Sequence, residues 1–231
     1  MSTLLLRLAG PLQSWGTQSR FTSREAGLAP SKSGIIGLLA AARGLRRTDP
    51  LEELLSLSFG VRVDQPGRVE RDFHTVSGHP LTYRFYLTDA VFLAAVEGDD
   101  QLIAGLDEAV RAPAFPLYLG RRSCVPSGPI SLGVHQSALA EALAGAAWQA
   151  SPWWRRRQAP SVTLEMAVDA SALPGDEAGR TSQVHDAPVD FDPARREYAW
   201  RTVSHTVVEM QNPDGRANRS THDPMALLGG A

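Results

Sequence analysis

The chain has 231 residues, 43% hydrophobic and 21% charged, a profile that fits one large globular domain or two small ones. It contains no run of 18 apolar residues and one cysteine, Cys124, which excludes a transmembrane helix, a disulfide framework and a cysteine-rich zinc site. The formal net charge of -2 argues at first sight against a nucleic-acid ligand.

Residues 1–7 do not read as a signal peptide, because Arg7 follows the short apolar run rather than preceding it, so a cytoplasmic address is expected. Leu4 to Leu8 reads as a short buried strand that stops at Gly10-Pro11. After a polar stretch, Ile35, Ile36, Leu38, Leu39, Ala42 and Leu45 fall at helical spacing from a start near Ser33. A second helix is predicted from Asp49-Pro50-Leu51-Glu52, with Asp49 as N-cap. Phe59, Val61 and Val63 alternate with Gly60, Arg62 and Asp64 as a strand, Pro66-Gly67 turns the chain, and Val69 to Val76 returns weakly.

Leu87 to Val96 has the look of one buried strand. Asp99 or Asp100 caps a helix carrying Leu102, Ile103, Leu106 and Val110 on one face, which ends before Pro113. Pro129 to Val134 gives another strand. This order is the split βαβ, ferredoxin-like unit, whose sheet is covered by helices on one face and left open for a ligand on the other face or at its edges.

From residue 136 the texture changes. A short alanine-rich helix over 138–147 precedes strands over 161–169 and 197–210, which are separated by a Gly/Asp/Pro-rich loop over 174–193. The expected organisation is an α+β protein: a ferredoxin-like, RNA-recognition-like unit over 1–135, a small C-terminal β-rich appendage over 136–210, and a polar tail over 211–231.

Charge is unevenly spread. Residues 1–47 hold seven basic side chains against one acid, and residues 111–157 hold six against one. Between them, residues 87–110 hold six acids and no base. Two basic blocks around an acidic one suit a basic face on an otherwise acidic molecule.

Four motifs carry candidate chemistry. In the first, Gln13, Ser14, Trp15 and Gly16 follow a Gly-Pro turn; Trp15 can stack on a base and Gln13 can bond a base edge, or Trp15 plugs the core. The second joins Arg20 and Arg24 to Lys32-Ser33-Gly34 at a helix start, which suits a phosphate, or is a serine N-cap with a solvated lysine. The third, Arg71-Asp72-Phe73-His74-Thr75, offers a histidine that is more often structural than catalytic on a strand. The fourth is Tyr118-Leu119-Gly120-Arg121-Arg122-Ser123-Cys124. Adjacent arginines on a glycine loop suit a phosphate clamp in which one arginine stacks on a base, or the loop is merely solvated. Trp153-Trp154-Arg155-Arg156-Arg157 is aromatic and basic without a sharper assignment. No histidine and cysteine spacing indicates a metal, and no cofactor is implied.

Taken together, R-L-A-G-P-L-Q-S-W-G at 7–16, P-S-K-S-G-I-I-G-L-L-A-A at 30–41, R-D-F-H-T-V at 71–76 and Y-L-G-R-R-S-C-V-P at 118–126 resemble the CasD family (Cas-five, subtype E) of type I-E Cascade, the CRISPR RNA-guided surveillance complex. The resemblance runs in order from Leu4 to about Leu132 and is looser beyond. It implies a fold of the RAMP type and a non-catalytic subunit that grips the 5′ handle of the CRISPR RNA. The implied partners are the backbone and large subunits, with target DNA reached only through the complex, while another subunit cleaves the precursor RNA. By position, Gln13 to Gly16, Lys32 to Gly34, Tyr118 and Gly120 to Ser123 would line the handle site. Arg71, His74, Thr75 and Arg84 would sit at the base of a thumb-like loop near 76–86, which is short in this chain. The alternative is a metal-independent endoribonuclease built on His74, Lys32 and Tyr83 or Tyr86.

Overall fold

The computed structural model describes residues 1–16, the backbone of 23–24, and residues 28–75, 81–173 and 179–216. In chain order the elements are β1 (Ser2–Ala9), β2 (Leu12–Gln13), β3 (Ser23–Arg24), α1 (Lys32–Ala42), α2 (Glu52–Leu55), β4 (Ser58–Gln65), β5 (Arg68–His74), β6 (Thr82–Thr88) and β7 (Val91–Gly98). There follow α3 (Asp100–Arg111), β8 (Ser131–His135), α4 (Leu139–Gly145), α5 (Pro152–Arg155), β9 (Ser161–Asp169), β10 (Arg180–Asp190) and β11 (Glu197–Gln211).

One sheet runs β10-β11-β9-β4-β7-β1-β8. Its part β4-β7-β1-β8 is the ferredoxin-like core. β1 and β4 both lie antiparallel to β7, and the chain passes between them through α1. β7 and β8 likewise flank β1 and are joined through α3. The sequence supports each step. Leu4, Leu6 and Leu8 point from β1 to the α1 and α3 side, where they meet Phe59, Val61, Phe92, Ala94 and Val96 from neighbouring strands. Ser31 caps α1 by accepting from Gly34 N, and Asp99 caps α3 by accepting from Gln101 N and Leu102 N, each worth about 1 kcal/mol.

The second face of the sheet is not open. Leu5, Leu93 and Ala95 project there and are covered by Leu139, Ala142 and Leu143 of α4, with Met166 and Val168 of β9. Arg62, on the same side of β4, is completely buried. Its guanidinium grips Asp64 through Nε to Oδ1 (2.7 Å) and Nη2 to Oδ2 (2.9 Å), and donates to the carbonyls of Leu143, Ala146 and Ala147 at the end of α4. A paired, fully hydrogen-bonded arginine is the form in which a buried charge is tolerated. The ligand face expected from the bare ferredoxin-like unit is therefore occupied by the chain itself.

Three further expectations change. The single strand over 87–96 is two, β6 and β7, in different sheets, because Asp89 at φ 55° turns the chain between them. Asp49 does not cap α2; its carboxylate accepts from Arg46 N, and Leu51 holds the N-cap position of α2 without a side-chain hydrogen bond. The loop over 174–193 contains β10, and residues 174–178 lie outside the described residues. The region 136–210 supplies three strands that continue the main sheet through β4–β9 pairing.

A second small sheet stands beside the first. β6 pairs with β5 along one edge, and with β2 (antiparallel) and β3 (parallel) along the other. The β5–β6 hairpin lies where the thumb-like loop near 76–86 is expected. Its expected tip lies within 76–80, outside the described residues, as do Arg20 and the tail from 217. No helix among the described residues is long and apolar enough to cross a membrane.

Candidate nucleic-acid interface

The first, second and fourth motifs meet in one groove of about 560 Å³. β2 carries the first motif out of β1, and Ser14 N donates to Leu119 O, which fastens it to the fourth. Gly120 makes this junction possible: its φ is +92°, and a Cβ there would overlap the Ser14 carbonyl oxygen. The second motif joins through Gly34, whose absent side chain leaves room for the Trp15 ring; a Cβ would sit 2.9 Å from Trp15 Cε3. Ser14, Gly16, Ser33, Gly34, Tyr118, Gly120 and Arg122 all line the groove.

The residue roles differ from the expected ones. Trp15 and Gln13 are internal, at 1% and 0% exposure. Trp15 Nε1 donates to Gln13 Oε1, and Gln13 Nε2 donates to the carbonyls of Leu8 and Ala90, so every polar atom that would read a base is already used. Trp15 is thus the core plug, and it also borders the groove.

Lys32 is also committed. Its Nζ lies 2.9 Å from Asp169 Oδ2, with the side chain 12% exposed. The free N–H at the start of α1, Lys32 N, donates to Asp186 Oδ2 at 2.8 Å. A helix N-terminus attracts an anion, and here the anion is the chain's own Asp186 carboxylate. Arg201 completes the node with Nη1 on Asp169 and Nε on Asp186, both at 2.6 Å. Burial would lower the Arg201 pKa, but the two carboxylates outweigh it and hold the guanidinium above its ordinary value.

The two arginines of the fourth motif diverge. Arg122 is exposed and lines the groove. Arg121 turns inward, with its Cζ 4.9 Å from the Tyr86 ring centroid, and stacks on a protein ring rather than on a base. One Nη of Arg121 is buried with no hydrogen-bond partner among the described residues. Burial would raise the Tyr86 hydroxyl, but Arg121 and Ser123 contacts, the Arg121 charge and Arg84 bring it below its ordinary value. Ser123 is exposed beside Cys124, which is fully buried; burial pushes that thiol up against smaller opposing effects of Ser123 and Arg121.

The third motif stays on the hairpin and off the groove lining. Arg71 lies over the Tyr83 ring at 4.8 Å, His74 Nε2 is 2.8 Å from Asp72 Oδ2, and Thr75 is exposed at the end of β5. Arg84 is half-buried on β6 opposite Asp72, and the backbone of Arg24 in β3 pairs with it. Lys32, His74 and Tyr86 are engaged separately, with Asp169, Asp72 and Arg121. Among the described residues no group of three His, Cys, Asp or Glu side chains is arranged to hold a metal ion.

Sequence reading missed four groove residues of consequence. Arg46 and Arg47 follow the end of α1, Arg196 comes from the β10–β11 connection, and Tyr198 from the start of β11. The first pair lies in the basic 1–47 block and was legible as charge; the second lies in an acidic segment and was not. With Arg122 they give the groove four arginines and no acidic lining residue among the described residues.

A ferredoxin-like core with a strand hairpin and an arginine-lined groove has the shape and charge to receive a polyanion. The model of the CRISPR-associated protein (Cas_Cas5) family matches residues 3–204, and the chain belongs to that family. It is 39% identical over 163 residues to the CRISPR system Cascade subunit CasD of Escherichia coli (strain K12), covering 59% of this chain and 73% of that protein. A chain of a solved CRISPR RNA-guided surveillance complex is 31% identical with a TM-score of 0.75, covering 98% of both chains. A crystal structure of a Cas protein is 39% identical with a TM-score of 0.72, covering 92% of this chain and 97% of that one.

Proposed function

We propose that the protein is a non-catalytic, cytoplasmic subunit of a Cascade-type surveillance complex, and that it holds the 5′ handle of the CRISPR RNA in the groove. Its similarity to the E. coli Cascade subunit CasD and to a chain of a CRISPR RNA-guided complex supports this reading. Backbone and large subunits are its protein partners, and target DNA is met only through the complex. The observation that carries the proposal is the convergence of three sequence-distant motifs on one groove that has, among the described residues, four arginines and no acid. Ser14, Gly16, Ser33, Gly34, Tyr118, Gly120 and Arg122 supply hydroxyls, backbone and charge to a single strand, with Arg121 and Ser123 alongside. The hairpin bearing Arg71, His74, Thr75 and Arg84 serves as the thumb.

Fluorescence anisotropy with a labelled single-stranded RNA carrying the repeat-derived 5′ segment tests this. Arg121→Ala combined with Arg122→Ala is expected to weaken binding and to flatten the dependence of log K on log salt by about 0.7 for each phosphate no longer neutralised. Unchanged affinity and slope would sink the clamp. Labelled repeat RNA incubated with the protein in EDTA is expected to stay intact; cleavage that His74→Ala abolishes would make the protein a nuclease instead.

A further inference from the structure

The groove wall facing the motifs is built by residues outside all of them. α1 closes in a turn where Leu45 N donates to Ala40 O and Gly44 N to Ala41 O, which delivers Arg46 and Arg47 to the rim. The β10–β11 connection brings Phe191 and Arg196, and the start of β11 brings Tyr198, to the same groove. The exposed side chains of Arg46, Arg47 and Arg196 have no ion pair or hydrogen bond among the described residues. Their neighbour Arg195 behaves differently and is shared between Asp190 and Asp192. Like charges gathered around one concavity repel, and among the described residues no acid in its lining offsets them. Such an arrangement attracts an anion.

The chemistry of that anion follows from what lies between the cations. Phe191 and Tyr198 are half-buried in the groove, and the Tyr198 ring is held edge-on to His185 with centroids 6.4 Å apart. Aromatic faces flanked by arginines suit an unstacked nucleotide, with its base against a ring and its phosphates outward. A groove of about 560 Å³ is the size of a small-molecule site and does not admit a duplex.

We propose that the end of α1, the β10–β11 connection and the start of β11 form a second half of the RNA site. Tyr198 takes a base face, and Arg46, Arg47 and Arg196 take the flanking phosphates of a single strand that continues to Arg122. This rests on the reading of the groove as an RNA site and extends it to residues that no motif contains. It also gives the Asp186–Arg201–Asp169–Lys32 node a purpose. The node ties the β10–β11 strand pair to the start of α1, and so sets the distance between the two walls.

The test uses the full chain, a fluorescein-labelled single-stranded RNA with the repeat-derived 5′ segment, and the same RNA annealed to its complement. Arg46→Ala plus Arg196→Ala is expected to weaken single-strand binding and to flatten the salt slope by about 0.7 for each phosphate set free. Tyr198→Ala is expected to lower affinity about 5- to 150-fold with the slope unchanged, and Tyr198→Phe to restore it. The duplex is expected to bind weakly and to be insensitive to Tyr198→Ala. Thermal unfolding of each variant separates a binding defect from a folding defect. If Arg122→Ala weakens binding while the Arg46, Arg196 and Tyr198 variants match the unaltered protein, the second wall is overturned and the motif wall stands. If the unaltered protein does not bind the single strand, both fall.

Discussion

At the scale of residues, the site depends on side chains that are absent as much as on those present. Gly120 lets the Tyr118–Cys124 loop touch the Ser14 carbonyl, and Gly34 lets Trp15 settle against α1. A side chain at 120 meets two penalties together, a backbone conformation that L-residues avoid and an overlap with a carbonyl oxygen. Gly120→Ala is therefore expected to cost at least about 1–3 kcal/mol. For a chain of this size that is a fall of roughly 2–12 °C in thermal midpoint. Because the loop carries Arg121 and Arg122, RNA affinity is expected to fall with it. A variant with an unchanged midpoint would show that the loop can move off Ser14 freely.

At the scale of elements, the start of α1 is the hinge of the design. A helix N-terminus after Ser-Lys-Ser-Gly reads as a phosphate site, and the physics of that reading holds, since an anion does sit there. The anion is Asp186, brought from β10, and it also receives Arg201. Asp186 is 2% exposed, so removing its carboxylate leaves Arg201 half-paired and an N–H of α1 without an acceptor. Asp186→Ala is expected to cost about 3–5 kcal/mol, the usual penalty for breaking a buried pair. Calorimetry should show a midpoint lower by roughly 6–20 °C. Asp186→Asn, which keeps an acceptor for Lys32 N, is expected to lose less. Equal midpoints for Asp186→Ala and the unaltered chain would mean that the node does not hold the β10–β11 pair.

At the scale of the molecule, the main sheet joins the two halves. β9 pairs with β4, and Met166 and Val168 pack with Leu5 and Leu93 of the ferredoxin-like core beneath α4. A chain cut after residue 135 would expose that cluster, strip the cover from Arg62 and Asp64, and remove the partners of Lys32. Folding as one cooperative unit follows. The intact chain is expected to unfold in a single calorimetric transition, and residues 1–135 alone to lack one; two separate transitions in the intact chain would refute this. The net charge of -2 matters little at this scale, because among the described residues the groove draws four arginines from three separate parts of the chain and no acid lines it.

Local pattern alone determined much of the fold. Apolar spacing located β1, α1, α3, β9 and β11, a serine near the predicted start capped α1, and Asp99 capped α3. The strand and helix order was enough to indicate the ferredoxin-like core. Where a single backbone angle or a remote neighbour decided, pattern failed. Asp89 split one apolar run into two sheets, and β10 formed in a Gly/Asp/Pro-rich stretch because β11 lay ready to pair with it. The candidate site divides in the same way. Its motifs were visible as clusters of arginine, glycine, serine and aromatic residues, but not which members face a ligand. Lys32 is occupied by an aspartate 137 positions away, and its backbone N–H by another 154 positions away. Gln13 and Trp15 satisfy each other inside the core, and Arg196 and Tyr198 reach the groove only across the sheet. Residue type determined what chemistry each group has to offer. Burial and charge pairing, which depend on contacts between distant segments, decided which groups remain free to offer it.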